Sequence, residues 1–267
     1  MTQTQNTLPN TDLIVTEHGK TLLIEFNRPQ ARNALTFAMY QGMADAITSL
    51  TNKPHIRVVV ITGVGGKAFA AGTDIGQFKA FKNAQDAIAY EQSISKLLGI
   101  VANCPVPTVA AVAGACTGGG FGIAACCDVR IATTDAKFGF PMARTLGNCL
   151  SLSTHARIAD LIGVARVKDL VVTARLMDAQ ELRWAGFISE LLDSNEALQT
   201  RALELARIIE GHAPLTMRVT KESLDALSPA IDEKLEEELF LKAYLSEDFS
   251  EGVAAFLEKR TPNWKGI

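Results

Sequence analysis

The hydrophobic positions divide the chain into short extended runs followed by longer helical ones. Leu13-Ile14-Val15 and Leu22-Leu23-Ile24-Glu25-Phe26, separated by Glu17-His18-Gly19-Lys20, predict a β-hairpin that stops at Asn27-Arg28-Pro29. Thr36 is a good N-cap, and Met39, Met43, Ala46, Ile47 and Leu50 then recur on one face, predicting a helix to about Ser49. Residues 57–62, RVVVIT, carry a strong buried-strand signal. Residues 86–98 read as a helix, Pro105 and Pro107 set up a central strand over 106–112, and the small apolar run 121–127 suits a helix packed inside a core. Residues 129–132 read as a strand and 137–141 as a turn. Short helices are predicted over 151–162 and 165–174. Asp178-Ala179-Gln180-Glu181-Leu182 opens another, ended by Gly186, before strand-like 187–192.

From residue 196 the pattern is helical, over 196–210, 215–226, 230–245 and 250–259, so the composition shifts near 195–200. We therefore expect a core over residues 1–197 and a C-terminal helical region over 198–267. The core belongs to the α/β class. Its repeated strand, strand, helix units predict a stacked spiral rather than a doubly wound sheet. The C-terminal amphipathic helices either pack on their own core or make subunit contacts. Residues 1–10 are polar, lack the apolar stretch of a signal peptide and are expected to form a loose tail. The apolar runs are all broken well before the ~18 residues that a membrane span requires.

Composition narrows the partners. The 267 residues, 48% hydrophobic and 21% charged, show an ordinary globular balance and are long enough for a full core. A net charge of −3 provides no basic face for nucleic acid and no acidic tail. Cys104, Cys116, Cys126, Cys127 and Cys149 sit in apolar surroundings, which reads as small buried hydrophobes in a reducing cytoplasm. His18, His55, His155 and His212 are scattered, with no HExxH and no pairing to cysteine, so no metal site is expected.

Chemistry concentrates at two glycine turns. Residues 110–128 read AAVAGACTGGGFGIAACCD, a strand, a triple glycine at Gly118, Gly119 and Gly120, and the start of a buried helix. That order points free backbone N–H groups and the positive end of a helix dipole at one spot, which suits a developing oxyanion or a phosphate. Glycine lets a ligand reach the backbone, although close helix–strand packing alone would also call for it. The strand at 57–62 runs into a second such turn, Gly63 to Asp74. Gly63-x-Gly65-x-x-Ala68 matches a dinucleotide fingerprint only superficially, because no amphipathic helix begins there and no acidic residue closes a second strand. Gly19-Lys20-Thr21 lacks the earlier glycine of a P-loop, and there is no GxSxG elbow.

Phe69-Ala70-Ala71-Gly72-Thr73-Asp74 together with Gly118-Gly119-Gly120 resembles the crotonase (enoyl-CoA hydratase/isomerase) superfamily. Asn27-Arg28-Pro29, Arg32-Asn33-Ala34-Leu35 and the tail Phe256-Leu257-Glu258-Lys259-Arg260 fit the same family, over nearly the whole chain. The resemblance implies the crotonase spiral with a C-terminal helical region, an acyl-CoA thioester as substrate with no separate cofactor, and homotrimers that stack in pairs. It implies an oxyanion hole built from the backbone N–H groups of Thr73 and Gly119. It also implies a CoA- and substrate-binding set of Arg32, Ala34, Ala71, Asp74, Ile75, Met142, Phe256 and Lys259. Within that set, Asp74 serves mostly local structure. Arg32 and Lys259 are equally readable as solvated helix-end charges.

The acid–base positions depart from the family. Its first glutamate falls at Gly122, its second at Met142, and a third acidic position of some branches at Leu150. A hydratase needs two carboxyl groups and an isomerase at least one. Arg144, Thr145, Asn148, Cys149 and Ser151 remain nearby. Asn148 and Thr145 can orient water or a substrate hydroxyl without acting as bases. Arg144 is expected in a salt bridge and Cys149 in the core, unless His155 approaches it in space. The expected protein is a cytoplasmic acyl-CoA enzyme that passes through a thioester enolate, by decarboxylation, thioester hydrolysis or assisted isomerisation rather than standard hydration. A non-catalytic acyl-CoA-binding protein is the alternative.

Overall fold

The structure, a computed structural model, describes residues 11–80, 83–226 and 233–265. The expected tail over 1–10 and the start of the helix expected at 230 lie outside them. β1 (Leu13–His18) and β2 (Thr21–Phe26) form the antiparallel hairpin, and Thr36 caps α1 (Phe37–Thr48) by accepting from Met39 N. Three strand–strand–helix turns follow. They are β3 (Val58–Gly63), β4 (Ala68–Ala70) and α2 (Ala84–Ala102); β5 (Thr108–Val112), β6 (Ala115–Thr117) and α3 (Gly119–Cys126); and β7 (Val129–Thr133), β8 (Lys137–Gly139) and α4 (Met142–Thr145). Next come α5 (Leu152–Ile162), α6 (Val164–Val172), β9 (Met177–Asp178), α7 (Ala179–Trp184) and β10 (Glu190–Leu192). The chain ends in α8 (Asn195–Glu210), α9 (Pro214–Asp225), α10 (Glu233–Tyr244) and α11 (Glu247–Glu258).

Each turn of the spiral lays one strand in a six-stranded sheet, ordered β1-β2-β3-β5-β7-β10, and one in a four-stranded sheet, ordered β4-β6-β8-β9. From β2 to β10 the larger sheet is parallel, so it is covered on both faces and its strands read as continuous apolar runs. All six residues of β3 are buried. Val59 and Ile61 enter the main core, while Val58 and Val60 pack on the opposite side. Residues 137–141, expected as a turn, contain β8, which pairs with β6 through Cys116 and Phe138. Three residues are too few for a period-2 pattern to show. Of residues 187–192, only Glu190–Leu192 pair with β7; Phe187 and Ile188 are buried beside α7.

The composition shift near 195–200 falls inside α8. Its Leu198, Ala202 and Ala206, spaced four apart, bury against Val58, Val60, Val109, Ala111 and Ile131 of the large sheet. Further on, Phe240 and Tyr244 of α10 and Phe249 of α11 cluster with Phe78, Ala87 and Leu146, so these helices fold back over α2 and the segment after β8.

α3 is buried nearly all round, with Phe121 stacked on Phe140 at 4.9 Å and edge-on to Phe187 at 5.2 Å. Its C-terminal end is held by buried Arg130, which donates to the carbonyls of Ala124 (3.4 Å), Cys127 and Phe187 (2.7 Å) and lies over the Phe187 ring at 4.8 Å. A cation there satisfies helix carbonyls and complements the dipole. Arg130→Met leaves those carbonyls unpaired in the core and is expected to cost at least about 3 kcal/mol, read as a lower urea midpoint in equilibrium unfolding.

Candidate active site

Asn33 ties the first glycine-rich region to the segment after β2. Fully buried at φ +55°, it accepts from Arg28 N at 2.9 Å and donates from Nδ2 to Val64 O (3.0 Å) and Ala68 O (2.7 Å). Next to it, Leu35 forms an isolated parallel bridge with Thr73. Leu35 N donates to Gly72 O at 2.8 Å, and Asp74 N donates to Leu35 O at 2.8 Å. In a trans peptide the C=O and N–H point in opposite directions. Since Gly72 O points at Leu35, the Thr73 amide points away from it, and no hydrogen bond from that amide occurs among the described residues.

Gly119 is the first residue of α3, so its amide has no partner within the helix. The two turns are in contact. A Cβ on Gly118 would lie 3.4 Å from Gly72 Cα, and one on Gly120 would lie 2.3 Å from Ala70 O, which only glycine avoids. At Gly119 a Cβ would meet Tyr40 Oη at 1.8 Å and Thr73 Oγ1 at 3.3 Å. Thr73 and Gly119 are therefore neighbours, and the space beside them holds the Tyr40 hydroxyl.

A cavity of about 120 Å³ opens here. Ala71, Thr73, Ile75, Gly119, Met142, Thr145 and Asn148 line it, together with Gly122 and Leu150. Arg32, Ala34, Asp74, Phe256 and Lys259 do not. Arg32, Phe256 and Lys259 are exposed, Ala34 O accepts from Arg28 Nη1, and the Asp74 carboxylate is taken up by Arg28 Nη1 (2.9 Å) and Gly76 N (3.1 Å). Thr145 Oγ1 donates to Pro141 O at 3.1 Å. The salt bridge expected for Arg144 is not found among the described residues, where its side chain is exposed. Cys149 lines the cavity half-buried rather than sitting in the core, and desolvation pushes its thiol up to about 12. His155 spends Nδ1 on Ser151 O at 3.1 Å, and burial depresses its pKa, so no thiolate–imidazolium pair forms.

Sequence reasoning misses three residues of the cavity lining, Tyr40, Tyr90 and Glu91, and a fourth, Tyr244, bonded to Glu91. Thr73 Oγ1 lies 3.0 Å from Tyr40 Oη and 3.2 Å from Tyr90 Oη. The Tyr90 ring approaches the Tyr244 ring at 6.3 Å, and Tyr244 Oη donates to Glu91 Oε1 while accepting from Asn148 Nδ2 at 3.2 Å. Asn148 Oδ1 is buried with no partner among the described residues. Burial raises the pKa of Tyr40, Tyr90 and Tyr244, so all three remain phenols. Glu91 is 6% exposed, and desolvation raises its pKa to about 7 against the lowering effect of the Tyr244 donor. Its sequence signal is positional: a carboxylate stands on the α2 stripe of Ala87, Ile88, Ile94 and Leu98, where the helical period calls for an apolar residue. Tyr40 similarly lies three residues before Met43 on the inner face of α1.

The family model for enoyl-CoA hydratase/isomerase matches residues 16–267. The chain is 37% identical over 255 residues to a Mycobacterium bovis protein named "Probable enoyl-CoA hydratase echA8", covering 94% of this chain and 97% of the relative. It is 31% identical to the short-chain-enoyl-CoA hydratase of Clostridium acetobutylicum, covering 93% and 95%. Among solved structures, a methylmalonyl-CoA decarboxylase in complex with 2-nitronate-propionyl-CoA superposes with a TM-score of 0.86 at 29% identity, covering 96% of this chain and 98% of that one. The spiral and its paired glycine turns are those of the crotonase fold, and this chain belongs to the enoyl-CoA hydratase/isomerase family. No group of three His, Cys, Asp or Glu among the described residues could hold a metal, and no described helix is long and apolar enough to cross a membrane.

The raised Glu91 pKa has a consequence for stability. A carboxyl group whose pKa rises on folding favours the fold fully below its unfolded value near 4.5, and that contribution is lost as pH rises through about 7. Relative to Glu91→Gln, the wild type is expected to lose up to about 3 kcal/mol between pH 5 and pH 8, measured by chemical denaturation at both values.

Proposed function

We propose that this protein acts on acyl-CoA thioesters, with the Thr73 and Gly119 amides as the two donors that stabilise negative charge on the thioester oxygen. The observation that carries this reading is the contact of the two turns, each leaving one amide without a backbone acceptor. Donors fixed in an enclosed site need no reorganisation when charge develops, and each is worth about 3 kcal/mol. The acyl group fits the apolar cavity beside Ala71, Ile75 and Met142. The CoA portion runs outside it, where Arg32 and Lys259 offer cations for phosphate and Phe256 a ring for adenine. Asp74 holds the turn through Arg28, and Asn148 and Thr145 orient polar groups in the cavity.

The reaction is an enolate-forming step. Gly122, Met142 and Leu150 put no carboxyl group at the three acidic positions, which argues against hydration by paired carboxylates. Decarboxylation of a malonyl-type thioester is the second reading, favoured by the likeness to two methylmalonyl-CoA decarboxylase structures, with TM-scores of 0.86 and 0.84. No cofactor beyond the CoA of the substrate is required. Five free cysteines agree with a reducing, cytoplasmic setting.

Assays with crotonyl-CoA, a 3-enoyl-CoA and a malonyl-type thioester test the reading. We expect turnover of the latter two classes and little hydration of crotonyl-CoA. Full hydratase turnover would refute the reaction assignment, and binding without conversion of any thioester would favour a non-catalytic acyl-CoA-binding protein. Gly119→Ala, whose methyl meets Tyr40, is expected to lower kcat/KM by roughly 100-fold or more.

We also propose a homotrimer, or a dimer of trimers. No residue of α9 is buried within the chain, yet Leu215 (69%), Val219 (49%) and Leu224 (61%) are exposed on it. An apolar face of this kind marks an association surface. The double substitution Leu215→Lys and Val219→Lys is expected to yield monomers in light scattering, against trimers or hexamers for the wild type.

A further inference from the structure

The family's acidic positions are empty, but the cavity is not without a carboxyl group. Glu91 enters from α2 and is bound into the cavity wall, through its neighbour Tyr90 to Thr73 on one side and through Tyr244 to Asn148 on the other. We propose that Glu91 is the catalytic acid–base of this site, exchanging a proton with Cα of the bound thioester while Tyr244, held by Asn148, orients its carboxyl group. The proposal rests on the acyl-CoA reading above and deepens it.

Elimination supports the assignment. The ionisable residues lining the cavity are Tyr40, Tyr90, Cys149 and Glu91, and Tyr244 is hydrogen-bonded to the last of them. The phenols and the thiol are held protonated by burial and are poor bases near neutrality. Glu91 alone changes charge close to pH 7. The groups that face it are Tyr40 from α1, Cys149 from the segment after α4, Glu236 and Tyr244 from α10, and Tyr90 of its own helix. None is cationic. Glu236 accepts from the amides of Leu152 (2.5 Å) and Ser153 (3.4 Å), and its proximity adds to desolvation in raising Glu91.

The geometry divides the carboxyl group into two ends. Oε1 receives the Tyr244 hydroxyl, and Oε2 accepts from no described residue. Tyr244 in turn accepts from Asn148 Nδ2, which fixes its hydroxyl rotation toward Glu91. With Glu91 ionised, a carboxylate oxygen takes the Cα proton. The C–H pair becomes the Cα–C double bond, and the carbonyl π pair moves to the thioester oxygen, facing the Thr73 and Gly119 amides. The reverse step returns the proton to carbon. With a malonyl-type thioester the C–CO₂⁻ bond breaks instead, carbon dioxide leaves, and neutral Glu91 delivers the proton to Cα. One carboxyl group therefore serves either reaction, whereas syn-hydration needs two.

Deuterium exchange into butyryl-CoA in D₂O, followed by mass spectrometry, isolates the proton transfer, and calorimetry measures binding of the same thioester. The wild type is expected to incorporate deuterium at Cα, with a rate that rises with pH to a plateau and a midpoint near 7. Glu91→Gln is expected to bind with an unchanged Kd, to exchange at least about 100-fold more slowly and to lose the pH dependence, while Glu91→Asp recovers part of the rate. Gly119→Ala is expected to slow exchange without moving the midpoint. Exchange by Glu91→Gln within about threefold of the wild type, or a wild type that binds butyryl-CoA without exchange, overturns the assignment and leaves the cradle standing. Failure of the wild type to bind any acyl-CoA removes the functional reading itself, and this proposal with it.

Discussion

Everything at this site depends on two backbone turns, from different layers of the spiral, lying at van der Waals distance. Ala70 to Thr73 and Gly118 to Gly120 meet with no side chain between them, because a methyl group on Gly120 would lie 2.3 Å from Ala70 O. The contact is enforced from both sides. Asn33 and Leu35 hold the first turn through four hydrogen bonds, and the Phe121–Phe140 stack and Arg130 hold α3, which carries the second. Neither turn can shift without exposing buried polar groups, so the amide directions are properties of the fold rather than of a loop.

The rest of the cavity supplies an unusual electrostatic balance. The Tyr40 and Tyr90 phenols and the Thr73 hydroxyl form a neutral, polar part of the wall, while Gly122, Met142 and Leu150 add apolar surface to it. A single carboxyl group placed there is desolvated with no cation beside it, which explains its rise toward neutrality. Charge developing on a ligand in such a space would find few competing charges and little water. That is the condition under which fixed backbone dipoles matter most.

Much of this was legible in the sequence, and the exceptions have physical causes. Thr36 announced α1, the RVVVIT run announced β3, and the two glycine turns marked the places where the backbone is exposed. β8 looks like a turn in the sequence because three residues cannot display alternation, and its strand character comes from pairing with β6. The composition shift near residue 197 did not show that α8 covers the large sheet, since Leu198, Ala202 and Ala206 resemble any amphipathic stripe. Cavity contacts with long sequence separation were the hardest to see. Glu91 and Tyr244 are 153 residues apart, and only the odd placement of a carboxylate on an apolar stripe hinted at the first of them.

Burial of the cysteines bears on chemical self-protection. All five are free, and desolvation raises the pKa of every one, including Cys149 of the cavity lining. α,β-Unsaturated thioesters are Michael acceptors, and it is the thiolate that adds to them. A thiol pushed up to about 12 is almost wholly protonated at neutral pH, so Cys149 is a poor nucleophile toward any electrophile that enters the cavity.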